Sequence, residues 1–164
     1  MSFARVCACL VITAVGLSAA RTSAQIPTQA VQSELRLDAI VARTSAVQAG
    51  YGISLPAGIY IRNGLVFGAG AGENGADARV DLISRFSLDP FRENRWAPYG
   101  GAGLSGRFRT AADGGSRGYL LVFVGVEGGL SAGARSGWVP AVELGLGGGA
   151  RVGIILRRGI VGRR

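Results

Sequence analysis

From Gln25 onward the chain contains no cysteine, no histidine and no lysine. The first absence rules out disulfides, and together with the second it removes the usual ligands of transition-metal sites. Losing histidine also removes the commonest general base, and losing lysine removes a serine–lysine pair as its substitute. Every cation is an arginine, sixteen of them from Gln25 on against ten acids, a net charge of +6. The chain also lacks a long apolar run. Its longest, Val6–Leu17, has twelve residues, well short of the roughly 20 that a spanning helix needs.

That short run sits in an informative place. Arg5 supplies a basic start, Val6–Leu17 an apolar middle, and Thr22, Ser23 and Ala24 a small-residue site before Gln25. This is the layout of a cleaved secretory signal, so residues 1–24 are expected to be removed after export. Cys7 and Cys9 leave with them, and neither has a lipobox placed before it. About 140 residues then remain, enough for one domain. They divide into a polar lead-in at 25–34, a folded body at 35–158 and a basic tail at 159–164.

What the body does have is alternation. Val47, Ala49, Tyr51, Ile53 and Leu55 fall on one face of a strand, with Gln48, Gly50, Gly52 and Ser54 on the other. The same rule sets Val80, Leu82 and Phe86 against Arg79, Asp81 and Arg85, and Ala102, Leu104 and Phe108 against Tyr99, Gly101, Gly103, Ser105 and Arg107. Trp138, Val142, Leu144 and Leu146 oppose Ala141, Glu143, Gly145 and Gly147, while Val152, Ile154 and Leu156 oppose Arg151, Gly153 and Arg157. Successive strand side chains point to opposite faces, so each segment is a strand with one oily side and one polar side. The pattern predicts eight strands, at 35–43, 47–55, 58–70, 78–88, 97–109, 118–128, 138–147 and 150–158. The sixth is oily on both sides until Glu127. Asn63-Gly64 also fits a hairpin turn, but a continuous third strand keeps the count even.

A soluble sandwich or lipocalin-like barrel would alternate too, with the oily face inside. Glycine decides between the two arrangements. A solvated strand face favours threonine, lysine, glutamate or glutamine, whereas glycine weakens a strand and is kept where space is short or curvature is needed. Glycine beside arginine and carboxylate fits a crowded polar lumen, which in an eight-stranded barrel is just wide enough for side chains to fill. Strands of nine to eleven residues tilted near 45° span roughly 22–26 Å, the height of an outer-membrane apolar band. The expectation is an all-β, eight-stranded antiparallel up-and-down transmembrane barrel. Leu82, Phe86, Leu104, Leu144, Leu146 and Ile154 would face lipid.

The stretch Trp96-Ala97-Pro98-Tyr99-Gly100-Gly101-Ala102-Gly103-Leu104 resembles the aromatic-x-Pro-Tyr-x-Gly-x-Gly strand opening of small outer-membrane barrels of the OmpA, OmpX and OmpW type. The resemblance extends over the mature chain in pattern and over this stretch alone in sequence. It implies both termini in the periplasm, a periplasmic lead-in at 25–34, and Trp96 and Trp138 at the periplasmic interface, where aromatic girdles sit. It further implies outer-membrane lipid, including lipopolysaccharide, and the barrel-assembly machinery as partners. Two features depart from that pattern. The final strand ends in Arg157 and Arg158 rather than an aromatic, keeping only the Gly153 spacing, and the connections at the expected outer side are short while 89–96 and 129–137 are long.

Chemistry is sparse. Enzymatic outer-membrane barrels generally pair histidine with serine or aspartate, and there is no histidine. Gly68–Gly75 has neither the lysine nor the following helix of a phosphate loop and reads as an inter-strand turn. Glu73, Asn74 and Asp77 read as a solvated turn rather than a calcium site, and Asp77 with Asp81 as salt-bridge partners rather than an acid and base. No cofactor or metal is expected. Nucleic acid is excluded as a partner because the arginines lack an aromatic platform and the chain is exported.

The functional hint is an inward charge network of Arg62, Arg79, Asp81, Arg85, Arg107, Glu127, Glu143 and Arg151. Arg36, Arg109 and Arg157 are placed at a solvated rim and Asp38 inside, so that eight arginines meet four acids and positive charge is in surplus. The reading is a non-enzymatic outer-membrane protein with a filled lumen, acting in envelope integrity or surface interaction, with Arg109 and Arg117 available to lipopolysaccharide phosphates. The alternatives are an OmpW-like conduit for small solutes, which the surplus would make anion-preferring, and a soluble periplasmic lipid-binding barrel.

Overall fold

The computed structural model describes residues 31–73, 75–91, 94–110, 115–128 and 137–160. The signal segment, most of the lead-in and the end of the basic tail lie outside them. Eight strands, β1 (Val31–Val41), β2 (Ala46–Pro56), β3 (Ile61–Gly72), β4 (Gly75–Ser87), β5 (Trp96–Arg109), β6 (Ser116–Gly128), β7 (Trp138–Leu146) and β8 (Ala150–Ile160), close into one barrel in sequence order. Every neighbouring pair is antiparallel, including the closing pair β1–β8. Closure leaves no free sheet edge, so every wall strand has a hydrogen-bonding partner on both sides.

Several boundaries move from the sequence reading. β1 opens at Val31, which brings residues 31–34 of the lead-in into the wall, and β8 continues through residues 159 and 160 of the tail. Gly68–Gly75 is not a loop: β3 extends to Gly72 and β4 starts at Gly75, leaving only residues 73 and 74 between them. Glycine next to alanine gives little contrast between faces, so the strand signal fades there although pairing continues. Asn63-Gly64 lies within the continuous β3, paired to Ser84 and Ile83. The turn falls at 57–60, where Gly58 takes a φ of 117° that only glycine adopts without strain.

The outer wall is apolar and the interior is not. Among the described residues, twenty-nine large hydrophobic side chains are exposed, whereas the buried set has eleven hydrophobic and seventeen polar or charged members. A protein folded by water has the opposite distribution. The apolar part of the interior is one cluster of Val66, Ile83, Tyr99, Leu121, Phe123, Ala141 and Ile155. It accounts for the double-sided β6, whose Leu121 and Phe123 point inward at the height where β5 and β7 present glycine.

The two mouths differ. At the one where β1 begins and β8 ends, here the proximal mouth, the connections are 57–60, 88–95 and 129–137. At the distal mouth they are 42–45, 73–74, 110–115 and 147–149, none longer than six residues. Trp96 and Trp138 open β5 and β7 and so sit at the proximal mouth, beside Tyr60 stacked on Phe86 at 5.7 Å between ring centroids. The Arg158 guanidinium lies 5.7 Å from the Trp138 ring.

Candidate functional site: the lumen charge network

The inward positions of β1, β4 and β8 carry most of the buried charge: Glu34, Arg36 and Asp38 alternate on β1, Asp77, Arg79, Asp81 and Arg85 share the inner face of β4, and Arg151 and Arg157 that of β8. Arg36 is a hub. Its Nε donates to Asp38 at 2.7 Å, its Nη1 to Glu34 at 3.2 Å and its Nη2 across the lumen to Glu143 at 2.8 Å. Arg157 is a second hub, donating to Glu34 at 3.1 Å, to Glu127 at 2.9 Å and to the Tyr99 hydroxyl at 3.0 Å. Arg79 bonds Asp38 and lies 3.1 Å from Asp81, which also accepts from Arg151 at 2.7 Å and from the Ser105 hydroxyl at 2.6 Å. Glu143 joins the two hubs: Arg157 lies 3.7 Å from it, Arg151 3.9 Å, and the Tyr99 hydroxyl donates to it at 3.3 Å. Arg85 bonds Gln32 and approaches Glu34 to 3.9 Å.

These contacts link ten residues into one network. Arg36, Arg79, Arg85, Arg151 and Arg157 balance Glu34, Asp38, Asp81, Glu127 and Glu143. A separate pair closes the distal end, where Arg107 holds Asp77 through Nε at 2.8 Å and Gln48 donates to the same carboxylate at 2.7 Å. Most of these ties join strands that are not neighbours in the wall, such as β1 to β4, β4 to β8 and β5 to β8. They are struts across the bore.

Six of the eight expected network members, Arg79, Asp81, Arg85, Glu127, Glu143 and Arg151, fall within the ten. Arg107 belongs to the separate distal pair, and Arg62 is half-buried at the proximal end, 3.4 Å from the Ser54 hydroxyl. The expected surplus of positive charge does not extend to the buried charges and is confined to the inward, half-buried Arg62 and Arg109 at the two ends. Glu34 and Asp77 both point inward and are buried, so the buried charges are six arginines and six acids. Arg36 and Arg157 are not rim residues either, being 4% and 1% exposed, because β1 and β8 extend beyond the ends assigned to them. Of the three arginines expected at a rim, Arg109 alone stays half-buried near a mouth, donating to Thr44 at 2.6 Å. Asp77 is a lumen residue rather than part of a solvated turn.

Tyr99, Gln32 and Gln48 are functional-site residues that the sequence reading did not single out. Tyr99 lies under Arg157, 4.4 Å from ring centroid to guanidinium carbon, with Arg85 at 5.5 Å on the same ring. Its place in the alternation of β5 was visible, but its height against β8 was not.

Inward glycines make room for this packing. A Cβ at Gly52 would sit 2.8 Å from the Glu34 side chain, and one at Gly125 would run into the Tyr99 ring. Gly125→Ala is therefore expected to destabilise the barrel by about 1–3 kcal/mol through overpacking. Urea unfolding of the two proteins, side by side in the same detergent, measures it. The bore is filled as a result: Asp38, Gln48, Asp81, Leu121 and Ile155 expose none of their surface.

Outside the bore, Leu82, Phe86, Leu104, Leu144, Leu146 and Ile154 all point away from the lumen.

No family profile matches the chain, and no curated protein sequence matches it. Its fold does match a solved structure, the N-terminal β-barrel domain of Pseudomonas aeruginosa OprF, with a TM-score of 0.56 at 12% identity over 77% of this chain and 96% of that one. At that identity the likeness is one of fold. The two share a closed β-barrel fold.

Proposed function

We propose that this chain is a non-enzymatic outer-membrane β-barrel with a closed bore, serving the integrity of the envelope. The observation that carries the reading is the inverted distribution of side chains: a predominantly apolar outer wall around a buried interior whose charges balance. In water such a wall would be an aggregation surface far beyond the few hundred Å² that monomers tolerate. In a bilayer it is the surface the solvent requires, and closure satisfies every wall strand without water. The likeness to the OprF barrel domain supports the same reading.

Within it, Leu82, Phe86, Leu104, Leu144, Leu146 and Ile154 meet lipid, and Trp96 and Trp138 anchor the proximal rim at the headgroups. Arg43, Arg109 and Arg117 gather near the distal mouth, where lipopolysaccharide phosphates are their natural counter-ions. Envelope integrity is preferred over surface interaction because distal connections of two to six residues leave little to present outside. A side-chain-filled, neutral bore weighs against a solute conduit. A soluble lipid-binding barrel would keep its apolar cavity inside, where this one holds its charges.

The processed protein is expected to fractionate with outer membranes, to resist carbonate extraction, and to migrate faster on SDS gels unboiled than boiled. Recovery as a soluble periplasmic monomer would overturn the reading.

A further inference from the structure

The outer wall carries a groove in its distal half. Ala49 on β2, Ala69 on β3 and Ala78 on β4 form a row across three neighbouring strands, and this row is its floor. Larger side chains stand around it. Tyr51, Phe67 and Val80 make the next row on the proximal side, Leu37 stands beside Ala49 on β1, and Phe108 stands beside Ala78 on β5. The Phe108 ring leans over Gly106, 3.7 Å from where a Cβ there would sit, and so closes the β5 side. The enclosed space is about 490 Å³, within the roughly 300–1,000 Å³ of small-ligand sites. Toward the distal mouth it is open: the floor runs on over Ala71 and Ala76 to a connection of two residues, 73 and 74. The described part of that rim carries Arg43, Arg109 and Arg117 against Glu73. Arg109 follows Phe108 in the chain, and its bond to Thr44 at 2.6 Å holds it at the rim.

Resting on the membrane reading above, with both chain ends on the periplasmic side, we propose that this groove holds one acyl chain of lipopolysaccharide. The occupant is a lipid tail because the groove is continuous with the apolar wall and lined by alanine and aromatic side chains, with no charged side chain in the outward rows that form it. A tail lying on a flat wall touches protein along one side. In the groove it meets alanine beneath and larger side chains on its flanks, and dispersion attraction grows with the number of atoms in contact. A tail anchored in the outer leaflet enters from the open distal end and stops against the row of Tyr51, Phe67 and Val80. Charge then selects among lipids. Three arginines against one acid at the rim match a headgroup that carries several phosphates, and guanidinium–phosphate contacts are charge-assisted. Lipopolysaccharide joins several phosphates and several tails in one molecule, so the rim and the groove engage it together.

Protein extracted from outer membranes in a mild detergent is assayed for retained lipid by native mass spectrometry, and after delipidation for rebinding of added lipopolysaccharide. The parent is expected to retain one lipopolysaccharide per barrel. Ala69→Leu combined with Ala78→Leu fills the floor with side chains that suit a lipid-facing wall, and should weaken rebinding about tenfold. Arg109→Gln should also weaken it about tenfold, the scale of one hydrogen bond to a charged group. Ala102→Leu, at an outward alanine of β5 outside the groove, should rebind as the parent does. Carbonate resistance and heat-shifted migration are read on every sample. If these hold while the filled groove rebinds as the parent does, or while Ala102→Leu loses as much, the groove proposal fails alone. It also fails alone if the parent retains phospholipid in place of lipopolysaccharide, a second copy in place of lipid, or no lipid. If the protein is extracted as a soluble species, the membrane reading fails and the groove proposal with it.

Discussion

Glu143→Ala is expected to lower the unfolding free energy of the lipid-embedded barrel by about 3–5 kcal/mol, the cost typical of removing one partner from a buried ion pair. The carboxylate is nearly sealed, at 3% exposure, and three arginines converge on it: Arg36 at 2.8 Å, Arg157 at 3.7 Å and Arg151 at 3.9 Å. Tyr99 loses its acceptor as well. The ten-residue network is neutral, so the variant retains five arginines against four acids and an uncompensated positive charge at mid-bore. Glu143→Gln separates charge from shape, since it keeps the side-chain volume and one oxygen acceptor, enough for Arg36, while removing the ionic component and the second acceptor that Tyr99 uses. It should fall between the parent and the alanine variant in denaturant titrations from lipid vesicles. In planar bilayers the parent should be silent because its bore is filled, and Glu143→Ala should open intermittently with anion preference. Steady, well-defined channels from the parent would instead promote a conduit. An alanine variant as stable as the parent would mean that the network contributes nothing to holding the bore.

Strand number, strand faces and the inward direction of the charges were legible because side-chain direction has a period of two and one face was strongly oily. That signal fades where the faces stop contrasting. Ser33 interrupts the apolar outward row of β1, so Gln32 and Glu34 read as a lead-in rather than as lumen residues. The Gly-Ala run of β3 and the start of β4 hides a continuous ladder, and with it the inward Asp77. Losing those two acids, and counting the half-buried Arg62 and Arg109 with the lumen, turned six buried arginines and six buried acids into eight against four, and shortening β1 and β8 pushed Arg36 and Arg157 to an imagined rim. Alternation gives the face of a residue but not its height around a tilted barrel. Which arginine meets which carboxylate, and that Asn63 stands opposite Ser84, depend on the register between strands, which in hairpins is fixed by turn length and geometry. The inward Leu121 and Phe123 were foreshadowed by the double-sided oiliness of β6, though the pairing of Leu121 with Gly103, and of Phe123 with Gly101 and Gly145, was not.

Leu144→Arg should cost about 2–4 kcal/mol of folding free energy into lipid vesicles if residue 144 lies near the midplane. Leu144 is 54% exposed on the outer wall, with Val142 and Leu146 on the same row of β7 and Val152 beside it on β8. The same substitution distinguishes the two solvents a closed barrel can have. In water, replacing an exposed leucine with arginine changes stability by no more than about 0.5 kcal/mol either way. In hydrocarbon, the guanidinium must snorkel, thin the bilayer or draw water in, each at a cost that grows with depth. Ile154→Arg, also mid-strand and 60% exposed on adjacent β8, should behave like Leu144→Arg. Ala150→Arg, at the distal end of β8, should cost no more than about 1 kcal/mol, because the penalty fades toward the interface. A graded series of this kind requires a bilayer around the wall. Three equal and small effects would place the apolar face in contact with something other than lipid tails, and the inverted distribution of side chains would then need a protein partner wrapped around the barrel to explain it.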